Sequence, residues 1–319
     1  MSVEAVEAAD TDELLRVAWE TGQVAEWLLE PCQLEVYHAI RAAMARGDRS
    51  FVAEIARKFG KSTIMLVIAD EEARRRPNLV MHYAAQSGKQ VEKIINPIMR
   101  MILDRCPQDL RPVWREQSGE WRYPNGSVLN VSGCEDEAKA DRLRGPASDL
   151  FIIDEAAFVP TLKYTIGSIA VPQTLTTGAI VIVASTPPKS PAHYFVEYAI
   201  RAEASGRYIH RTIHDSTRIT PQTLASYIEE AGGVDSSEWR REYLAQRVVD
   251  ESRAVVPEFH AQRAVIVAEW PRPAYFDAYV SMDPGQSPSL NFILFGYYDF
   301  RGAMLVIEAE VVQSRPRPD

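Results

Sequence analysis

Two short clusters in this sequence hold residue types and spacings suited to metal-assisted phosphate chemistry: Gly60-Lys61-Ser62-Thr63 and Asp154-Glu155. The first stands where the apolar run FVAEI gives way to the helical pattern STIMLVIADEEARR. A glycine at such a junction permits a tight turn that aims backbone N–H groups at phosphate oxygens. The helix beginning near Lys61 adds its positive N-terminal end. Lys61 is then expected to reach the β- and γ-phosphates of a nucleotide, and the Ser62 hydroxyl to ligate Mg2+. Thr63 extends the cradle, and Arg57 and Lys58 add positive charge within the loop. The common pattern is G-x-x-x-x-G-K-[ST]; its first glycine is Ile55 here. The plain alternative is a basic turn between a strand and a helix, and the strand-before, helix-after placement argues for phosphate instead.

The second cluster ends the apolar run in DLFIIDEAAF. In parallel α/β sheets ligands bind beyond the carboxyl ends of the strands, which is where this pair falls. A carboxylate there holds Mg2+ through its water shell, the role expected of Asp154. A second polarises the attacking water, the role expected of Glu155. An acid pair that merely caps the following helix is the alternative for either residue alone; it does not explain the upstream lysine and serine. A further strand, IVIVAS, ends in Ser185-Thr186. A glutamate directly after the metal-coupled aspartate, with such an added strand, is the arrangement of strand-inserted motor ATPases. Ser185 or Thr186 would then sense the γ-phosphate, the alternative being a satisfied hydroxyl at a strand end before Pro187.

The elements that must position these clusters are readable in outline. Residues 1–48 form an N-terminal helical region, with a break at Pro31 and a helix stop at Gly47. The runs Phe51–Ile55, Leu79–Ala84, Leu150–Ile153 and Ala179–Ala184 have the length and aliphatic character of buried parallel strands. Helical stretches at Thr63–Arg75 and Gln86–Arg105 separate them, which implies crossover units. Asn125-Gly126, between two alternating runs, predicts a hairpin. The expected fold is therefore α/β, a P-loop NTPase with a RecA-like, strand-inserted parallel sheet over 49–193. A polar, mainly helical linker subdomain follows over 194–271, with EWRREYLAQRV its clearest amphipathic piece. From 272 to 319 the runs AYVSMD, NFILFGYYD and AMLVIEAEVV predict the opening meander of a second domain.

Bulk composition bounds the class. The 319 residues carry a net charge of −9, which argues against a surface that coats DNA non-specifically yet leaves room for local basic patches. Three scattered cysteines form no CxxC pair and suggest neither a zinc site nor a disulfide framework. The acidic N-terminus lacks signal-peptide character, and no apolar stretch approaches the roughly 18 residues that span a bilayer. A soluble protein in a reducing compartment is expected.

In order, ARKFGKST, YAAQSGKQ, DRLRGPASDLFIIDEAAF, IVIVASTPP, HDSTRIT and EWRREYLAQRVVDESRAVVPEF resemble the large subunit of tailed-phage terminases, the DNA-packaging motor. The resemblance spans roughly Gln33 to Asp283. It implies an ATP- and Mg2+-dependent ATPase that drives double-stranded DNA into a procapsid. The implied partners are a portal ring and a small terminase subunit, and the motor is a homo-oligomeric ring in the host cytoplasm. It also implies that Arg57 is the loop arginine of the family and that Gln33 contacts the nucleotide base. Arg144, before Gly145, would be the finger that enters a neighbouring subunit's site, with Arg142 its close rival. Family members carry a C-terminal ribonuclease-H-like nuclease whose carboxylates hold paired divalent ions, Mg2+ or Mn2+. Asp283 matches the first of those carboxylates, whereas Glu308 and Glu310 alternate in one strand and later positions would lie beyond Asp319. The nuclease domain is accordingly expected to be incomplete. Another DNA-dependent, helicase-like ATPase and a non-catalytic nucleotide-binding assembly module are the alternatives.

Overall fold

The computed structural model describes residues 3–145, 147–190, 193–248, 266–283 and 290–314. The chain divides into two units, Met1–Ala254 and Val255–Asp319.

In the first unit the aliphatic runs become strands β1 (Ser50–Ile55), β2 (Val80–Ala85), β6 (Leu150–Asp154) and β7 (Val181–Ser185), and nearly every side chain in them is buried. Burial on both faces is why these strands read as continuous apolar runs. With β3 (Val113–Arg115), β4 (Glu120–Arg122), β5 (Val128–Gly133) and β8 (Tyr208–Arg211) they form one sheet in the order β3-β4-β5-β2-β6-β7-β1-β8. All pairings from β5 to β8 are parallel. The inserted strand β7 separates β1 from β6, as the Asp-Glu signature and the added IVIVAS strand led us to expect. The hairpin at Asn125-Gly126 is present as β4 and β5, with Gly126 at φ 87° making the turn. β3 extends it by one short strand that no apolar run announced.

Several local expectations change. Pro31 opens the helix Pro31–Arg46 instead of breaking one; the break is the extended pair Leu29–Glu30 just before it. Proline lacks only an N–H that the first turn leaves unbonded. Gly47, at φ 77°, ends that helix. The expected Gln86–Arg105 helix is interrupted by a π-helical turn, Val91–Ile95, directly before Asn96–Ile102. Pro97 lies in the first turn of the latter, and its missing N–H and ring displace the regular ladder. The stretch after 194 holds the edge strand β8, which buries only Ile209 and so has no apolar run to betray it. EWRREYLAQRV keeps only the five-residue π-helical segment Trp239–Tyr243, and Ala245 turns left-handed at φ 49° soon after it.

The helix Lys61–Arg75 ties the N-terminal helix and the hairpin to the sheet through a buried ion pair. Arg74 Nε donates to Asp70 Oδ2 at 2.7 Å, Tyr123 OH donates to Asp70 Oδ1 at 3.0 Å, and the guanidinium lies 4.7 Å from the Trp19 ring centroid. Breaking one side of a buried pair leaves an uncompensated charge. Asp70→Ala is therefore expected to destabilise the unit by about 3–5 kcal/mol, seen as a fall in the urea midpoint at unchanged slope.

The second unit contains an antiparallel meander, β9 (Ala278–Asp283), β10 (Leu290–Asp299) and β11 (Met304–Ser314), in the order β11-β10-β9. Its three strands match the three expected runs.

Candidate active site

The carboxyl ends of β1, β6 and β7 lie side by side, since Asp154 is in register with Ala184 and Glu54 with Ser185. Each strand therefore delivers its next residues to one edge. After β1 the chain turns through Arg57 and Lys58 while Ile55, Ala56 and Phe59 stay fully buried and anchor the loop. The left-handed positions are Lys58 (φ 65°) and Gly60 (φ 97°). Ile55 remains a regular strand residue, so the loop needs no glycine there. Gly60 has no alternative: a Cβ there would overlap Gln33 Nε2. Gly60→Ala is expected to destabilise the unit by about 1–2 kcal/mol from backbone strain alone, measured as a shift in thermal midpoint.

Behind this loop, Gln33 is buried, donates from Nε2 to Phe59 O at 2.9 Å and accepts from Glu30 N at 3.1 Å through Oε1. Its amide holds the loop from the protein side and does not line the cavity in front of it. In this structure Gln33 holds the loop.

Lys61, nearly buried, rests its Nζ 3.3 Å from Ile55 O and from Ala56 O, and 3.6 Å from Glu155 Oε1. Ser62 Oγ donates to Asp154 Oδ2 at 2.6 Å, and Tyr83 OH donates to the same oxygen at 2.7 Å. Asp154 Oδ1 accepts from Glu155 N at 2.9 Å, so both carboxylate oxygens are fixed. A serine hydroxyl and a carboxylate oxygen in contact are hard oxygen donors of the kind Mg2+ takes, with phosphate and water completing its shell.

Glu155 is the strained member. It adopts φ 50°, a left-handed conformation costly for a glutamate, and its Oε2 is buried without a hydrogen-bond partner. Burial pushes its carboxyl above the ordinary value; Lys61 opposes the shift and the Asp154 charge adds to it. A basic, unsatisfied carboxylate oxygen at the end of a β-strand is equipped to accept a proton.

Lys61, Ser62 and Glu155 face a cavity of about 500 Å³, large enough for a nucleotide, and the buried Asp154 lies behind Ser62. Arg57, Gly60, Lys61, Ser62, Thr63, Glu155 and Thr186 all line the cavity. Ser185 does not; its buried Oγ accepts from Ala157 N at 3.0 Å and braces the Glu155 turn. Of the Ser185-Thr186 alternatives, the structure thus brings Thr186 to the cavity. Arg144 lies outside it, exposed, with Nε 2.7 Å from Asp141 Oδ1 and Nη2 donating to Tyr164 OH at 2.8 Å. Arg142 is exposed and makes neither a hydrogen bond nor an ion pair among the described residues. Asp283 ends β9 in the second unit, and among the described residues no group of three or more His, Cys, Asp or Glu side chains could hold a metal. Glu308 is engaged by Arg272 at 2.7 Å.

Sequence reasoning missed Gln86, Gln90, Lys189, Glu238 and Glu242, which also line the cavity. Glu238 and Glu242 are four residues apart in EWRRE, a spacing that puts both on one helical face, but nothing in the sequence ties that face to the loop.

Comparison with known proteins gives one family. The family model described as "Terminase large subunit, T4likevirus-type, N-terminal" matches residues 52–255. No curated protein matches the sequence. Among solved structures, the large terminase from a thermophilic bacteriophage has a TM-score of 0.58 at 18% identity, covering 89% of this chain and 68% of that one. The HK97 bacteriophage large terminase has a TM-score of 0.58 at 16% identity, covering 89% of this chain and 63% of that one. The ATPase domain of the Thermus phage P74-26 large terminase has a TM-score of 0.50 at 21% identity, covering 62% of this chain and 88% of that one. At these identities the structural likeness speaks for the fold.

Proposed function

Because the chain belongs to the terminase large-subunit family, we propose that it hydrolyses ATP to drive double-stranded DNA into a procapsid. The observation that carries this reading is the convergence on one cavity of Lys61, the Ser62–Asp154 pair and the unsatisfied Glu155 carboxylate. The large terminase from the thermophilic bacteriophage, whose fold this chain shares, has been solved with ADP and with ATP-gamma-S.

In this chain the loop N–H groups and Lys61 bind and orient the phosphates. Mg2+ held at Ser62 and Asp154 would neutralise phosphate charge. Glu155 Oε2 takes a proton from the attacking water, and Thr186 stands where loss of the terminal phosphate would be felt. Tyr83 and Ser185 hold Asp154 and the Glu155 turn in place.

The site acts within a ring, with a finger arginine from the loop Asp141–Gly145 completing a neighbour's cavity. Arg142 and Arg144 are the two candidates. Arg144 must give up Asp141 and Tyr164 to serve, whereas Arg142 has no partner to leave among the described residues. The portal ring and small terminase subunit are proposed as partners, in the host cytoplasm. For the second unit we propose that Asp283 is the first carboxylate of a ribonuclease-H-like metal site. Among the described residues only one sheet contains parallel pairings, which weighs against a two-motor helicase.

The test is the ATP hydrolysis rate against protein concentration, with and without double-stranded DNA. A rate that rises faster than linearly is expected from shared sites, and Arg142→Ala and Arg144→Ala separate the two fingers. Strict proportionality between rate and concentration, at concentrations where the chain self-associates, would count against the ring.

A further inference from the structure

The segment Trp239–Tyr243 was given no role in the site by its sequence, yet it supplies one wall of the phosphate cavity through Glu242. Neighbouring contacts join it to the loop. Ala56 shares a small buried core with Trp239 and Ile213. Arg57 N donates to Glu242 O at 2.7 Å, and Arg57 Nη1 lies 3.9 Å from Glu242 Oε2. The other carboxylate oxygen, Oε1, accepts from Arg241 Nε at 3.3 Å.

The Glu242 carboxylate is therefore shared between two guanidiniums of different character. Arg241 is buried, and its Nη1 has no hydrogen-bond partner. Taking Glu242 away from it would leave a buried charge unpaired. Arg57 is the outer partner, with its side chain 60% exposed, so its long contact with Glu242 is easily exchanged. Glu242 also lines the same cavity as Glu155. A carboxylate there repels a terminal phosphate and occupies the loop arginine that would otherwise meet it.

We infer that Glu242 is a positioning residue that sets the affinity for the terminal phosphate by holding Arg57 at the cavity wall until a triphosphate claims it. This deepens the function proposed above and rests on that reading of the cavity. When a triphosphate enters, Arg57 turns its planar fork from Glu242 to the phosphate oxygens, a stronger and better-matched acceptor. Glu242 stays paired with Arg241 through the Nε contact to Oε1. The exchange is local, because the chain beyond Tyr243 is pinned: His210 Nε2 lies 3.0 Å from Ala245 O, and Arg247 Nη2 donates to the buried Glu54 at 2.6 Å.

The experiment is equilibrium binding of ATP-γ-S and of ADP, each with Mg2+, to the full chain, to Glu242→Gln, to Arg57→Gln and to the double variant. Glu242→Gln is expected to tighten ATP-γ-S by about three- to tenfold and ADP by less than about twofold, since the lost repulsion acts on the terminal phosphate. Arg57→Gln should weaken ATP-γ-S by about tenfold, and adding Glu242→Gln to it should recover less than the single substitution gains. A purely structural Glu242 predicts the opposite sign, weaker binding of both nucleotides; a lower melting temperature is expected on either reading, because the substitution leaves the buried Arg241 unpaired. Weaker binding of both nucleotides, or an equal gain for ATP-γ-S and ADP, overturns the inference. Should Glu242→Gln fold poorly, Arg57→Gln decides alone, because it must lose the preference for ATP-γ-S over ADP. If the unmodified chain binds neither nucleotide, the proposed function itself fails and takes this inference with it. Binding by the unmodified chain with no gain in Glu242→Gln removes this inference only.

Discussion

Replacing Glu155 with glutamine is expected to slow ATP hydrolysis by about 10²–10⁴-fold while leaving the affinity for ATP within about threefold. The amide keeps the size and the Lys61 contact but cannot take a proton from water. Lys61 and the Ser62–Asp154 pair, which hold the phosphates, are untouched. Single-turnover hydrolysis beside ATP-γ-S binding separates the two effects. A variant that hydrolyses at nearly the normal rate would remove Glu155 from the role of base and turn attention to Glu242, the carboxylate across the cavity. The same substitution has a pH signature. Burial holds the folded Glu155 carboxyl above its ordinary value of 4.5. An acid raised in this way binds more protons folded than unfolded, so its contribution to stability is best below the ordinary value and is lost as pH rises through the raised one. Glutamine loses nothing over that range. Glu155→Gln is therefore expected to melt higher than the unmodified chain at neutral pH, with the difference shrinking as pH falls towards 4.5. A constant difference at all pH values would mean that burial of the charge is not what the protein tolerates there.

Why the lysine, serine and two carboxylates of the candidate site could be picked out follows from their placement. Lys61, Ser62, Asp154 and Glu155 sit next to strands whose two buried faces leave an unbroken apolar run, so motif and element mark each other. The missing first glycine proved harmless because the turn is made at Lys58 and Gly60, a conformational fact that residue spacing does not carry. Gln33 has a support that spacing does not reveal: its amide bonds Phe59 O and Glu30 N behind the loop. β8 and Glu242 were out of reach for a common reason: a half-exposed edge strand and a short π-helical turn have no strict period. Their meaning comes from tertiary neighbours, β1 for the strand and Arg57 for the carboxylate. Ser185 and Thr186 were indistinguishable in sequence, since one residue's shift along a strand decides which hydroxyl faces the cavity and which braces Ala157.

Lys61→Met is expected to remove ATP binding and hydrolysis together, with a fall in kcat/KM beyond about 10³-fold, because this one ammonium serves two anions. The first is the phosphate. Nζ hangs between Ile55 O and Ala56 O at the head of the helix, where a charge-assisted bond to phosphate is worth about 1.5–3 kcal/mol, or roughly 10- to 150-fold in affinity. The second is Glu155, whose charged form Lys61 supports at 3.6 Å against burial. Without that ammonium the carboxyl is pushed up further, which favours the protonated form that cannot act as a base. The two losses differ in what restores them. Saturating ATP overcomes the binding loss alone, whereas raising the pH re-ionises Glu155 and recovers part of kcat in Lys61→Met but none in Glu155→Gln. Lys61→Arg should not rescue either loss, since the planar guanidinium cannot fit a nearly buried position shaped for a point charge. The pH profile of residual kcat across these variants is the deciding measurement. A flat profile in Lys61→Met would separate the lysine from the glutamate and reduce Lys61 to a phosphate ligand.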